Sequence, residues 1–540
     1  MGEIRAVQLL PFLPAAGLAA ALLSALPVRR PAWKYIPSIW ALAASSTLLV
    51  LLYRGWERHV GPGPFVWGWW GFEAGRLAFL ALLAVIGPLS LFLLAGGEAG
   101  KGRKGRVLRT LGHLSVAGAV AAVLGEHLLL LAVGCALVTW CAAGAVLLEG
   151  PGEERTRYLA ALFPLMASDL CLMLSVLLIN GAAPKALFHN IPVAPGIRSS
   201  AFPLLLAAAL LRLGVFPLTT CPAFLAGRGK AFRIPYLQVI NPVLGAYLLF
   251  MAVRVVFNPG GEWLWAMMGI GAAGLVSSAL ALLRSIPLGV RRGWLANCLG
   301  AAFTFSLSSG GQGGAVAARL VLLAGIPALL LLEASDGGRR GGARTVGGAA
   351  ILGLPPLAGF ASLWMAGRSP AYGQGGAMGT TFFLGWPVMV LAFLAGGAAA
   401  LIAGGGEADG APPWVSAAVA LPLCAFLAIT GIFPGRVADM LMREYGLPLE
   451  FPFSSWSSLA GACLLVLGVL AFLWWARGRR VAGMAAVALT SCAPASTATA
   501  LLPWPLAPRR PGKSLVRAVV ALDLAVFLGW WGMFILSVLR

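Results

Sequence analysis

The run Pro203-Leu-Leu-Leu-Ala-Ala-Ala-Leu-Leu-Arg212-Leu-Gly-Val-Phe216-Pro217-Leu-Thr-Thr-Cys-Pro222 sets one cation inside an apolar stretch long enough to enter a bilayer. A charge at membrane depth costs roughly 2.5–3.5 kcal/mol even on lenient scales, so Arg212 is expected to face protein or water and to have a partner. Proline removes a backbone donor and collides with the preceding turn. Pro217 and Pro222 are therefore expected to break or kink this helix just beyond the arginine. A buried charge beside a broken helix is how ion-coupled membrane proteins build a pathway at the midplane. The plainer reading is one arginine bound to backbone carbonyls that stiffens a bundle.

The rest of the chain is written in the same language. Of its 540 residues, 60% are hydrophobic and only 11% charged, with mean hydropathy +0.89. Soluble domains are nearer one quarter charged, so the composition specifies an all-α polytopic membrane protein. The net charge of +21 does not point to nucleic acid, because the Lys and Arg cluster in short links between apolar runs. The eight cysteines are scattered, mostly inside apolar runs and without a CxxC pair, and read as small buried side chains. The four histidines show no paired spacing, so no metal site is expected.

Taking ~20 apolar residues per span, helices fall near 6–27, 35–54, 75–96, 107–124, 126–148, 157–180, 199–226 and 234–257. Others fall near 263–285, 292–308, 314–333, 343–366, 379–403, 412–432, 457–476 and 514–538, about 14–16 in all. Segment 481–505 reads as a loop or an interfacial helix. The basic clusters (Arg29/Arg30/Lys34, Lys101 to Arg109, Arg228/Lys230/Arg233, Arg291/Arg292, Arg339/Arg340/Arg344 and Arg477/Arg479/Arg480) mark cytoplasmic links, which puts both termini outside. Trp67, Trp69, Trp70, Trp474 and Trp475 fit an interfacial belt. Gly269-Ile-Gly271-Ala-Ala-Gly274 matches a dinucleotide fingerprint only on paper, and inside a membrane helix its small residues serve close packing.

The segment Leu352-Gly353-Leu354-Pro355-Pro356-Leu357-Ala358-Gly359-Phe360 resembles the G-L-P-P-L-x-G-F motif of the antiporter-like membrane subunits. That family serves respiratory complex I, energy-converting hydrogenases and multisubunit cation/proton antiporters. Leu128–Leu131 with Val133, Phe216-Pro217, Gly245-Ala-Tyr247 and Gly431-Ile-Phe433-Pro434 resemble further family segments in the same order. The resemblance implies two inverted repeats with proline-broken helices. The parts are then 1–106, a first repeat 107–257 (broken helix near 199–226), a second repeat 263–403 (broken helix near 314–333, at Pro327) and 404–540. It also implies partners, namely other membrane and peripheral redox subunits, in the bilayer of a prokaryotic inner membrane.

The resemblance is least complete at the family's ionisable relay. Its fifth-helix glutamate falls on Ala136, and the lysine before the broken-helix proline falls on Arg212. The other His and Lys positions fall near Leu237, Val243, Leu323, Pro327 and Leu363. Asp169 lies where the family often carries an aspartate, and opposite charges on neighbouring membrane helices predict an Asp169–Arg212 contact. Arginine stays protonated, so the pair reads as a static lock or electrostatic modulator ahead of a transfer site. Glu126, His127, Arg254 and Glu333 lie near span ends and are expected to be solvated, and Asp523 is isolated.

The sequence therefore predicts a membrane subunit of a complex-I-like or hydrogenase-type assembly that is structural or coupling rather than a full pump. It carries no cofactor, metal or redox site of its own. The alternative is a stand-alone ion-coupled secondary transporter with its site at Asp169 and Arg212. A membrane transferase using Glu407 and Asp409 ranks lowest, for want of a companion basic motif.

Overall fold

The computed structural model describes residues 8–27, 31–58, 65–149, 162–182, 195–215, 232–255, 261–282, 288–335, 341–354, 356–368, 385, 387–397 and 411–442. The expected helices near 457–476 and 514–538, segment 481–505, and Pro217, Pro222, Pro355, Glu407, Asp409, Trp474, Trp475 and Asp523 lie outside these residues.

The described chain is a bundle of helices. They are α1 (Phe12–Ala25), α2 (Ile36–Glu57), α3 (Gly75–Gly96), α4 (Gly102–Leu124), α5 (Leu128–Glu149) and α6 (Phe163–Ala182). Next come α7 (Pro195–Leu213), α8 (Arg233–Val253), α9 (Gly261–Leu282), α10 (Leu288–Ser308) and α11 (Gly311–Ala334). The series closes with α12 (Gly341–Leu352), α13 (Ala358–Arg368), α14 (Pro387–Gly397), α15 (Pro413–Ile432) and α16 (Pro434–Met442). Nine of the described helices are long and apolar enough to cross a membrane. A bilayer leaves no water for backbone groups, so a chain this apolar satisfies them within helices.

Helix α11 is the axis of the bundle. Its apolar window is wholly buried, and α3, α8, α10, α12, α13, α15 and α16 pack around it. The spans α2, α6, α9 and α15 are less than half buried and turn leucines such as Leu174, Leu280 and Leu421 outward. In lipid, unlike water, such a face costs nothing. Close packing follows small residues: a Cβ on Gly271 would lie 2.7 Å from the backbone nitrogen of Phe305, which joins α9 to α10.

The expected breaks at Pro217 and Pro222 lie outside the described residues, and the one expected at Pro327 is not found. Helix α7 ends at Leu213, before the prolines. Gly214 takes a φ of 64°, and Val215 N–H bonds back to Leu210 O at 3.2 Å. This six-to-one bond past a left-handed glycine closes the helix just after Arg212. Pro327, expected to break its helix, instead sits inside an uninterrupted α11. One missing donor is tolerated where neighbouring helices hold the turn on every side. The break of that region lies one helix later. The single helix expected over 343–366 is split at Gly353 (φ 74°), where Leu354 N–H bonds to Ala349 O at 3.0 Å and Gly353 N–H to Ala350 O at 3.2 Å.

Two π-helical stretches were not anticipated, Leu82–Ile86 within α3 and Arg233–Ile240 within α8, and they pack against each other. Each is followed within two residues by a proline, Pro88 and Pro242. A proline ring clashes with the carbonyl four residues back, and an inserted residue relieves that clash. The tryptophans at 67–70 belong to a small hairpin, β1 (Phe65–Trp67) with β2 (Trp70–Phe72), turned at Gly68 with φ 60°. Trp69 O accepts from Glu126 N–H at 2.8 Å, which fastens this hairpin to the α4–α5 turn.

Candidate functional site

Among the described residues, buried ion pairs form three groups. In the first, Arg212 near the end of α7 meets Asp169 on α6 in a salt bridge. Its Nη2 also donates to Cys135 O and Thr139 Oγ1 on α5, each at 3.0 Å, and Nη1 donates to Asn241 Oδ1 on α8 at 3.3 Å. Both charged side chains are 2% exposed or less. Four helices thus converge on one guanidinium, and its fork geometry suits several acceptors at once.

The second group centres on Glu333, at the end of α11. Arg233 reaches both carboxylate oxygens, Nε to Oε1 at 2.9 Å and Nη2 to Oε2 at 3.1 Å. Gln238 Nε2 donates to Oε1 at 2.7 Å, and Arg292 Nη1 to Oε2 at 2.5 Å. Each charge sits at the wrong end of its own helix. A carboxylate lies against the negative terminus of α11, and guanidiniums lie in the first turn of α8 and the second of α10. Brought together, the three cancel these penalties.

In the third group, Arg76 at the start of α3 contacts Glu73 at 3.2 Å and Glu126 at 2.7 Å. Its Nη1 also donates to Val123 O at 3.1 Å and Gly125 O at 3.2 Å. Close by, Arg319 on α11 donates to Gly75 O at 3.3 Å and lies 5.1 Å from the Phe250 ring centre. Arg319 and Glu333 are fourteen residues apart on α11, ~21 Å along a straight helix, so this one helix links the second and third groups.

The sequence-predicted residues are distributed as follows. Asp169 and Arg212 are together. Gly353, Pro356, Gly359 and Phe360 form the α12–α13 corner, where a Cβ on Gly359 would lie 1.7 Å from Ala350 O. Glu126 and Glu333, expected to be solvated, are buried and paired, as are Arg233 and Arg292, expected in a cytoplasmic link. Desolvation at a helix end is offset by counter-charges from other helices, which position along the chain does not reveal. His127 is half-buried and stacks on Trp69 at 5.4 Å. Sequence reasoning passed over the Arg76 and Glu333 groups. The available signal was the charge opposed to its helix dipole.

The other positions that the sequence resemblance set against the family's relay, Ala136, Leu237, Val243, Leu323 and Leu363, are all buried in the apolar core. Among the described residues, the buried Lys and Arg side chains are all arginines (Arg76, Arg109, Arg212, Arg233, Arg292 and Arg319). Arginine cannot be deprotonated in a protein, so these groups hold charge rather than hand protons on. No group of three or more His, Cys, Asp or Glu among the described residues is placed to hold a metal ion.

An all-α polytopic membrane protein with paired charges inside is the class that fold and site define. No protein-family model matches the chain, and no curated protein sequence matches it. Solved structures do. A chain of the Mrp complex from Dietzia sp. DQ12-45-1b superposes with a TM-score of 0.72 at 17% identity, over 98% of this chain and 60% of that one. This protein therefore spans 60% of the length of that relative. A chain of the archaeal membrane-bound sulfane sulfur reductase gives 0.65 at 15% identity, covering 81% of this chain and 96% of that one. A chain of respiratory complex I from Thermus thermophilus gives 0.60 at 20% identity, covering 80% and 98%. The protein has the fold of the antiporter-like membrane subunits, as the Leu352–Phe360 motif suggested.

Proposed function

We propose that this chain is an antiporter-like subunit of a complex-I-like or energy-converting hydrogenase-type assembly in a prokaryotic inner membrane. In this reading it holds and couples its neighbours, which include peripheral redox subunits, and does not pass protons through its own interior. The observation that carries the reading is the pairing of an apolar relay axis with arginine as the buried Lys/Arg-type cation. Proton transfer needs titratable groups or waters within hydrogen-bond reach of one another, and buried leucine and valine supply neither. Asp169 and Arg212 then act as a lock between α6 and α7.

Purification from native membranes with a tagged chain tests the assembly. Other membrane subunits and iron–sulfur polypeptides are expected to copurify, whereas a lone chain that transports ions in vesicles would favour the secondary transporter. Proton transport by the assembled complex tests the role of the pair. Asp169→Asn and Arg212→Lys are expected to leave the rate per assembled complex unchanged. Loss of transport in a fully assembled variant would refute the locking role.

A further inference from the structure

A cavity of about 20 Å³ lies beside Arg212, walled by Asn241, Asn297, Leu237, Pro164 and Leu165 among others. A buried water needs on the order of 10–15 Å³ of such space and two to four polar partners. Asn241 is 2% exposed, and its Oδ1 accepts from Arg212. A guanidinium only donates, so that contact sets the amide orientation and turns Nδ2 away from the arginine. Nδ2 has no hydrogen-bond partner among the described residues. A buried donor left unsatisfied costs roughly 1–3 kcal/mol, so the site gains by holding an acceptor. Asn297, 1% exposed on α10, presents a second amide to the same space.

We propose that this cavity binds one water molecule, which accepts from Asn241 Nδ2 and donates to Asn297 Oδ1. The water links Asn241, and through it the Arg212–Asp169 pair, to Asn297 on α10. The ligand is neutral, because Asp169 already offsets Arg212 and the apolar walls offer a halide no counter-charge. It is also solitary, since Leu237, Pro164 and Leu165 give a second water nothing to bond. A contrasting cavity of about 10 Å³ between Leu295, Leu299, Leu329, Ile351 and Phe393 offers no side-chain nitrogen or oxygen and stays dry.

A cryo-electron microscopy map of the assembled protein, sharp enough to show ordered water, tests this in chloride and in bromide buffer. The expected result is one peak within hydrogen-bonding distance of Asn241 Nδ2 and Asn297, equal in both buffers and lost in Asn297→Leu. Asn297→Ser, which keeps an acceptor, is expected to retain it. No peak in the wild-type map, or one that grows in bromide, overturns the proposal. The wild-type maps decide the matter even where the leucine variant fails to assemble.

Discussion

Glu333 receives Arg233 through both of its carboxylate oxygens, at 2.9 and 3.1 Å, across one hundred residues of sequence. Arg292 completes the group at 2.5 Å. Glu333→Ala leaves two guanidiniums buried without their shared anion. Breaking a buried pair costs about 3–5 kcal/mol. The variant is expected to melt far below wild type in detergent, with Glu333→Gln intermediate because it keeps an acceptor for Arg233. Melting curves equal to wild type for both variants would show that the group contributes no stability.

The Asp169–Arg212 pair allows a sharper comparison, because both ends can be replaced. Asp169→Leu or Arg212→Met alone strands a charge and is expected to lose about 3–5 kcal/mol. The double variant strands neither, and its loss is expected to be smaller than that of either single change. A double-variant loss equal to the sum of the singles would mean that the two side chains do not act as a pair.

Arg76 spreads its guanidinium over two carboxylates and backbone carbonyls of the α4–α5 turn. A lysine keeps the charge but cannot span these acceptors. Arg76→Lys is expected to destabilise the fold by about 1.5–3 kcal/mol, on the scale of a charged hydrogen bond left unmade. Chemical denaturation of the wild type and variant in matched micelles measures it.

Two positions separate a true helix break from an apparent one. A Cβ on Gly359 would lie 1.7 Å from Ala350 O, a clash with backbone that cannot rotate away. Gly359→Ala is therefore expected to cost at least about 1–3 kcal/mol. Pro327 lies inside the continuous α11. Pro327→Ala restores a backbone donor there, and the variant is expected to stay within about 1 kcal/mol of wild type. Expression level and melting midpoint in parallel preparations rank the two, and the opposite order would contradict this assignment of the break.

Where the sequence was informative, the property was local or compositional. Apolar runs of span length placed most of the helices within a few residues. Arg212 and Asp169, each alone in its apolar run, pointed to each other because a solitary charge in hydrocarbon needs a partner. Proline was a weaker guide. At Pro327 the surrounding helices hold the turn that proline weakens, and the helix runs on. The hairpin at 65–72 was hidden because a three-residue strand leaves too short a pattern to read.

By itself the sequence determined that this chain lives in a membrane and roughly where it crosses. Those properties depend on side-chain type and spacing along a single helix. Only the tertiary structure decided that Glu126 and Glu333 are interior, that Arg76, Arg233 and Arg292 neutralise them, and that a water-sized space opens beside Arg212. Those outcomes depend on partners far apart along the chain, as with Arg292 and Arg233, 41 and 100 residues from Glu333. Desolvation and pairing nearly cancel for a charge at a helix end, so its fate rests on which helix packs beside it.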